Sequence, residues 1–514
     1  MHLTRTRAIA VFMALALAGC GGSNPGSGAV GNPPRGALLE NPPELVTLVS
    51  AASLFLELSA ANNLQLLALG GTPLCDIAVY HIRYETAGGT NEATTASGAL
   101  MVPLGADPKC SGSRPILLYA HGTTTDRAYN IADVQNQSNA EGLFLATFFA
   151  SQGYIVVAPN YAGYDTSTLT YHPYLVADQQ SKDMIDALTA ARSALPVASA
   201  TLTRDSGKLF ITGYSQGGYV AMATHRAMQA AGMTVTASAP MSGPYALAAF
   251  VDAAFEGRVN ASGPVSSTLL ITAYQKSYGN VYANPGDVFE PQYVSGIENL
   301  LPSLTPRSDL YAQGKLPRTA LFSSTPPDAA SADITPATLP ANLAPVFALG
   351  FGTDNLITNS YRLSYLTDAR ANPDGAWPTT TTGVPAATPG SPLRQATKLN
   401  DLRNWTPVAP TLLCGGDADP TAFWLNTQLM QDYWASRAPA SARIGVLDLE
   451  TAASAGDPYA DLKSQFAVAK QLVAAAAIAQ GATDGGASAV MDAYHASLVP
   501  PFCLAAVSSF FAAQ

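Results

Sequence analysis

The segment Gly213-Tyr214-Ser215-Gln216-Gly217 joins an apolar run, Leu209-Phe210-Ile211, to a stretch from Val220 to Met228 whose apolar residues recur at helical spacing. It fits G-x-S-x-G, a pattern that presents a serine on a sharp strand-to-helix turn. The glycines have a physical reason, because the turn brings backbones together and leaves no room for side chains beside the serine. A serine hydroxyl becomes a nucleophile only when a base takes its proton, and that base is most often a histidine oriented by a carboxylate. The chain has six histidines, few enough to weigh singly. His2 lies at the extreme N-terminus, His81 in a strand-like run, and His172 in "YHPYL" ahead of a helix. His225 falls in the helix that follows Ser215 and points away from the turn, and His121 precedes a glycine at a strand end. His495, in "MDAYHASLVPPFC", occupies a loop-like segment before a final apolar helix and is the expected base.

The orienting acid should end a strand between Ser215 and His495. "PTLLCGGDADPTAF" offers Asp417 and Asp419 after a strand over Thr411–Cys414. Spacing from Gly416 favours Asp419, with Asp417 the alternative, although an Asx-turn alone would explain either. The tetrahedral oxyanion of acyl transfer needs backbone donors. One is the N–H of Gln216, next to the nucleophile. The other belongs in "LLYAHGTTTD", where Thr123 is the assignment and its neighbours Gly122 and Thr124 are the alternatives. No His/Cys cluster has zinc spacing, so no metal site is expected.

The elements that must position these residues alternate. "CDIAVYHIRYET" and "ATTASGALMVP" have period-two character and read as an antiparallel pair. "RPILLYAHG", "YIVVAPNY" and the Ser215 strand are interleaved with helical stretches, "GLFLATFFASQG" and "YLVADQQSKDMIDALTAARSAL". Such alternation predicts a mostly parallel sheet covered on both faces. Residues 43–70 read as one or two apolar helices. After Tyr245 the βα rhythm stops until "APTLLCGG" and "ARIGVLDLE" restore it. The organisation expected is a sheet core in two parts, 43–244 and 401–514, with residues 245–400 inserted as a cap or lid.

Arg5 and Arg7 precede the apolar run Ala8–Leu17, which is too short to span a bilayer and reads as an export signal. "LAGC", ending at Cys20, resembles the lipobox of bacterial lipoproteins. That resemblance implies a signal over 1–19, a lipid anchor on Cys20, a Gly/Pro/Ser tether over 20–42 and an outer-membrane or cell-surface location, or secretion if the lipobox is not used. Cys75, Cys110, Cys414 and Cys503 remain, an even number suited to an oxidising compartment. Of the three possible pairings, chain order favours Cys75–Cys110 and Cys414–Cys503. The 514 residues are 48% hydrophobic, ample for a large core, and carry a formal charge of −10, which argues against nucleic acid as a partner.

"AHGTT", "VVAPNYAGY", "HPYL", "GYSQGG", "DADPT" and "YHASLVP" follow one another in the order found in α/β-hydrolases, with Ser, Asp and His in that family's sequence. From about residue 75 onward the chain resembles the secretory-lipase branch, fungal lipase A-like enzymes and their bacterial relatives. The resemblance implies an α/β-hydrolase fold with a cap inserted before the acid strand, and triacylglycerol lipase-like hydrolysis of carboxylic esters through an acyl-enzyme. It implies an ester or lipid substrate, an acyl tunnel and no cofactor. Two other readings stand beside it: a capped serine peptidase, and a non-catalytic surface lipoprotein on the same fold. The first should hold acidic residues in the cap for a substrate amine, and Asp287, Glu290 and Glu298 form no evident cluster.

Overall fold

The computed structural model describes residues 34–60, 63–136, 139–198 and 203–514. The signal segment, Cys20 and the tether as far as residue 33 lie outside the described residues. Strands β1 (Glu44–Val49), β2 (Asp76–Ala87), β3 (Ala93–Leu104), β4 (Ser113–Ala120), β5 (Ile155–Pro159), β6 (Arg204–Tyr214) and β7 (Ala237–Met241) build most of the main sheet. Two-residue strands β8 (Phe322–Ser323) and β9 (Phe351–Gly352) pair with each other apart from it, and β10 (Thr411–Gly415) and β11 (Ile444–Asp448) complete it. The order is β1-β2-β3-β5-β4-β6-β7-β10-β11. The first four strands pair antiparallel, and every later pairing is parallel.

Helices α1 (Ala51–Leu58), α2 (Leu64–Gly70) and α3 (Ala140–Phe148) precede β5, and α4 (Ala177–Ala198) and α5 (Gln216–Ala230) flank β6. Strand alternation divides the core between two faces. Ile116 and Leu118 of β4 pack with α4 and α5, whereas Leu117 and Tyr119 pack with α3 and the C-terminal helices. This is an α/β-hydrolase fold, as the motif order implies.

Between β7 and β10 stand α6 (Leu247–Phe255), α7 (Gly263–Tyr278), α8 (Arg307–Ala312), α9 (Ala344–Leu349), α10 (Asn359–Ala371) and α11 (Pro392–Leu399). Buried ion pairs pin this insertion. Arg394 bonds Asp252 of α6 and Asp368 of α10, and Arg403 bonds Asp374 and Asp401. After β10 come α12 (Leu425–Ala435), α13 (Ala460–Ala479), α14 (Ala487–Ala493) and α15 (Val499–Ala512). Only Phe466 and Ala469 of α13 are buried, so its alanine-rich sequence forms helix largely by intrinsic propensity.

Three expectations are corrected. The helices predicted over 43–70 begin only at Ala51: "ELVTLV", with two valines and a threonine, forms β1 against β2, and Ser50 caps α1 by accepting the Ser53 N–H. Part of the predicted tether is tied to β2 and α4 instead. Gly36 N–H donates to Glu85 O, Leu39 N–H to Arg83 O, and Arg35 pairs with Asp186. His495 lies in a π-helical turn, Tyr494–Leu498, between α14 and α15, not in a loop. Such turns are frequent at functional positions because they re-aim side chains within a helix.

Both disulfides join the cysteines that chain order pairs, Cys75–Cys110 and Cys414–Cys503. The second fastens the end of β10 to α15 across 89 residues of chain. Cys503→Ser is expected to cost about 4 kcal/mol through the freed loop entropy of the unfolded chain. Guanidinium denaturation would show this as a lower midpoint, and an unchanged midpoint would mean that packing alone holds the two segments.

Candidate active site

Ser215 closes β6 at φ 59°, ψ −122°, a left-handed conformation that ordinary side chains avoid. The sequence makes the turn possible, because a Cβ on Gly217 would collide with the Ala120 carbonyl and one on Gly213 with the Gly217 carbonyl. The hydroxyl therefore stands at the mouth of the β6–α5 junction. Ser215 Oγ lies 2.8 Å from His495 Nε2, and His495 Nδ1 lies 2.7 Å from Asp419 Oδ2. An ionised carboxylate only accepts, so the proton sits on Nδ1 and Nε2 is left to accept the Ser215 O–H. The remaining Asp419 oxygen accepts the N–H groups of Thr421 and Ala422, and the side chain is 1% exposed.

Asp417 faces elsewhere. Its N–H donates to Asp448, and its exposed carboxyl is raised from the ordinary value by burial together with the charges of Asp448 and Glu450. Tyr214 O–H donates to the His495 carbonyl at 2.6 Å, with the two rings 5.0 Å apart. It braces the π-turn from the residue before Ser215, a role no motif announces.

The other described histidines are accounted for. His225 bonds Ser238 and His81 bonds Asp165. His172 is buried and its pKa is pushed down to about 3 by burial. The neutral ring donates from Nδ1 to Ala162 O and accepts the Gln216 side-chain amide at 2.7 Å, which fixes the residue after Ser215. His121, lowered to about 4 by burial, has only one proton to give, and its shorter contact is Nδ1 to Gly122 O at 2.7 Å against 3.1 Å to Asn160 O. Gly122 N–H donates to Glu141 at 2.9 Å. Thr123 N–H and Gln216 N–H, by contrast, donate to no protein acceptor among the described residues.

Ser215 and His495 open into a cavity of about 780 Å³. The insertion supplies apolar residues to it, among them Phe250, Val251, Leu270 and Leu321, while the β4–α3 segment supplies polar ones, including Thr124, Asp126 and Asn130. No group of three or more His, Cys, Asp or Glu side chains could hold a metal ion among the described residues.

Fold, topology and site place the protein in the α/β-hydrolase superfamily, and it is a hydrolase in general class. Residues 143–257, which run through β6, Ser215 and α5, match the prolyl oligopeptidase family. The rice cell wall degrading esterase LipA from Xanthomonas oryzae superposes with a TM-score of 0.63 at 27% identity, over 90% of this chain and 98% of that one. Its ligand-bound form gives 0.62 at 28% identity, again over 90% and 98%. A candidate hydrolase from Legionella pneumophila shares the fold at 19% identity, with a TM-score of 0.57 over 80% and 91%. No curated protein sequence matches the chain.

Proposed function

We propose that the protein is a serine carboxylic-ester hydrolase acting through an acyl-enzyme. The carrying observation is the hydrogen-bonded chain Asp419–His495–Ser215 opening onto an apolar-lined cavity. In this reading His495 Nε2 takes the Ser215 proton as Oγ attacks the ester carbonyl. The N–H groups of Gln216 and Thr123 stabilise the oxyanion, and the imidazolium, held by Asp419, gives its proton to the departing alkoxide. Water, deprotonated by the same imidazole, then releases the acid. The insertion acts as a cap whose apolar residues receive the acyl chain, a lipase-like arrangement. The likeness to an esterase supports this choice of substrate bond.

The test is hydrolysis of p-nitrophenyl esters from C2 to C16, with aminoacyl p-nitroanilides alongside. Activity on esters alone supports the proposal, and the chain-length optimum separates esterase from lipase. The prolyl oligopeptidase match favours a second reading, a capped serine peptidase, which cleavage of the anilides would support. Against it, Asp287, Glu290 and Glu298 do not line the cavity, and Glu298 accepts the Tyr282 O–H.

We read residues 1–19 as a lipoprotein signal and Cys20 as the lipid-bearing residue, giving an exported, bilayer-anchored enzyme. Two disulfides support an oxidising compartment. Metabolic labelling with palmitate should mark the protein, and Cys20→Ala should abolish the label. An unlabelled wild type that is still exported would leave a plain secretory signal.

A further inference from the structure

The steps above give no role to Glu141, one of the carboxyl-bearing residues that line the cavity. Glu141, in the first turn of α3, is half-buried and lines the cavity beside Gly122. It comes from a different element than Asp419 and makes no contact with the Asp419–His495–Ser215 chain through hydrogen bonds. Its Oε1 accepts the Gly122 N–H at 2.9 Å, and its Oε2 accepts the Tyr119 O–H at 2.5 Å. From the other side, His121 Nδ1–H donates to the Gly122 carbonyl at 2.7 Å. Both backbone groups of one residue are therefore held by side chains. A Cβ built on Gly122 would lie 3.2 Å from Glu141 Oε1 and 3.7 Å from the Ser215 Cβ, so this clamp sits directly against the nucleophile.

A trans peptide points its C=O and N–H in opposite directions. With the Gly122 carbonyl turned to His121, the Thr123 N–H of the same peptide must point away from that ring. With the Gly122 N–H engaged, that group is withdrawn from the reaction. We propose that Glu141 is a positioning residue that locks the Gly122 segment so that the Thr123 N–H, together with that of Gln216, is presented to the oxyanion. This rests on the serine-hydrolase reading.

The electrostatics agree. Burial pushes the Glu141 carboxyl up to about 7, against the opposing pull of Tyr119, Gly122 and His495. Either protonation state leaves an oxygen to accept the Gly122 N–H. The groups that face it are Tyr119, Tyr129, Tyr161 and Tyr214, all raised by burial and so uncharged at neutral pH, and the imidazole of His495.

The experiment compares wild type, Glu141→Gln and Glu141→Ala by the rate at which a fluorophosphonate modifies Ser215, read by intact mass. That reaction needs the nucleophile and the oxyanion donors but no ester substrate. Parallel kcat and KM values are taken on p-nitrophenyl butyrate, with circular dichroism to check folding. Full loss of one oxyanion donor costs about 10²–10³-fold, so misaiming one should slow phosphonylation and kcat by about 10–100-fold in Glu141→Ala, with little change in KM. Glu141→Gln retains an acceptor and should recover most of the rate. A folded Glu141→Ala that is phosphonylated at the wild-type rate overturns the proposal, as does a Gln variant no better than Ala. Normal phosphonylation of a wild type inactive on every ester would sink the ester reading and leave the role of Glu141 to be judged on the labelling rates.

Discussion

Replacing Ser215 with alanine is expected to lower kcat/KM on p-nitrophenyl butyrate by about 10⁴–10⁶-fold, nearly all of it in kcat. The alanine removes the attacking oxygen and nothing else. The cavity stays lined by Phe250, Val251 and Leu270, so ground-state binding and KM should change little. The N–H groups of Gln216 and Thr123 remain, and they leave a residual rate above that of water alone. His495 would keep its bond to Asp419 and lose only the Ser215 partner. Because residue 215 holds φ 59°, the backbone strain at the turn is the same for serine and alanine, and stability should be nearly unchanged. Circular dichroism and thermal denaturation check that point beside the kinetics. A variant retaining more than about a tenth of wild-type activity would mean that another residue attacks the substrate, or that water does so directly.

How much of this geometry could be read from the chain depended on whether its determinants are local. The turn at Ser215 is written in consecutive residues, since Gly213 and Gly217 must lack side chains for the strand and helix to meet. The strands of the sheet are legible for a similar reason, because buried parallel strands leave short apolar runs between helical stretches. His495 could be found by elimination, but not its setting. A π-turn differs from the helices on either side by one backbone hydrogen-bond register, which side-chain pattern does not encode. β1 was misread because "ELVTLVSAASLFLEL" carries apolar residues compatible with either period, and the choice is made by pairing with β2 far along the chain. Glu141 was invisible. It stands at an ordinary first-turn position of a helix, where an acidic residue needs no further explanation, and only the fold brings it against Gly122. The helices of the insertion were also hidden, since their order is set by packing and by pairs such as Arg394–Asp252 and Arg403–Asp374, not by a repeating rhythm.

Two aspartates two residues apart provide the sharpest test of the site. Asp419→Asn is expected to reduce kcat by about 10⁴-fold at neutral pH, whereas Asp417→Asn should stay within about threefold of wild type. The difference follows from what each carboxyl touches. Asp419 is buried, takes the His495 Nδ1–H at 2.7 Å and is anchored by the Thr421 and Ala422 N–H groups. If the asparagine keeps its carbonyl on those two donors, its amide N–H₂ faces Nδ1. A neutral imidazole meeting a donor there presents a lone pair and shifts its proton to Nε2, where it can no longer accept the Ser215 O–H. The loss is therefore one of tautomer and imidazolium stabilisation, not of packing. Asp417 has the opposite character: it is exposed, and Asp448 and Glu450 repel its charge. A carboxyl whose pKa is raised in the fold adds stability at low pH that is lost as pH rises. The neutral amide of Asp417→Asn should then leave the fold at neutral pH no less stable than wild type. Steady-state kinetics of both variants, with denaturation midpoints at two pH values, separate the roles. If Asp417→Asn proved the inactive one, His495 would have to take its orientation from the other side of the β10 loop, and the hydrogen bond to Asp419 would be structural only.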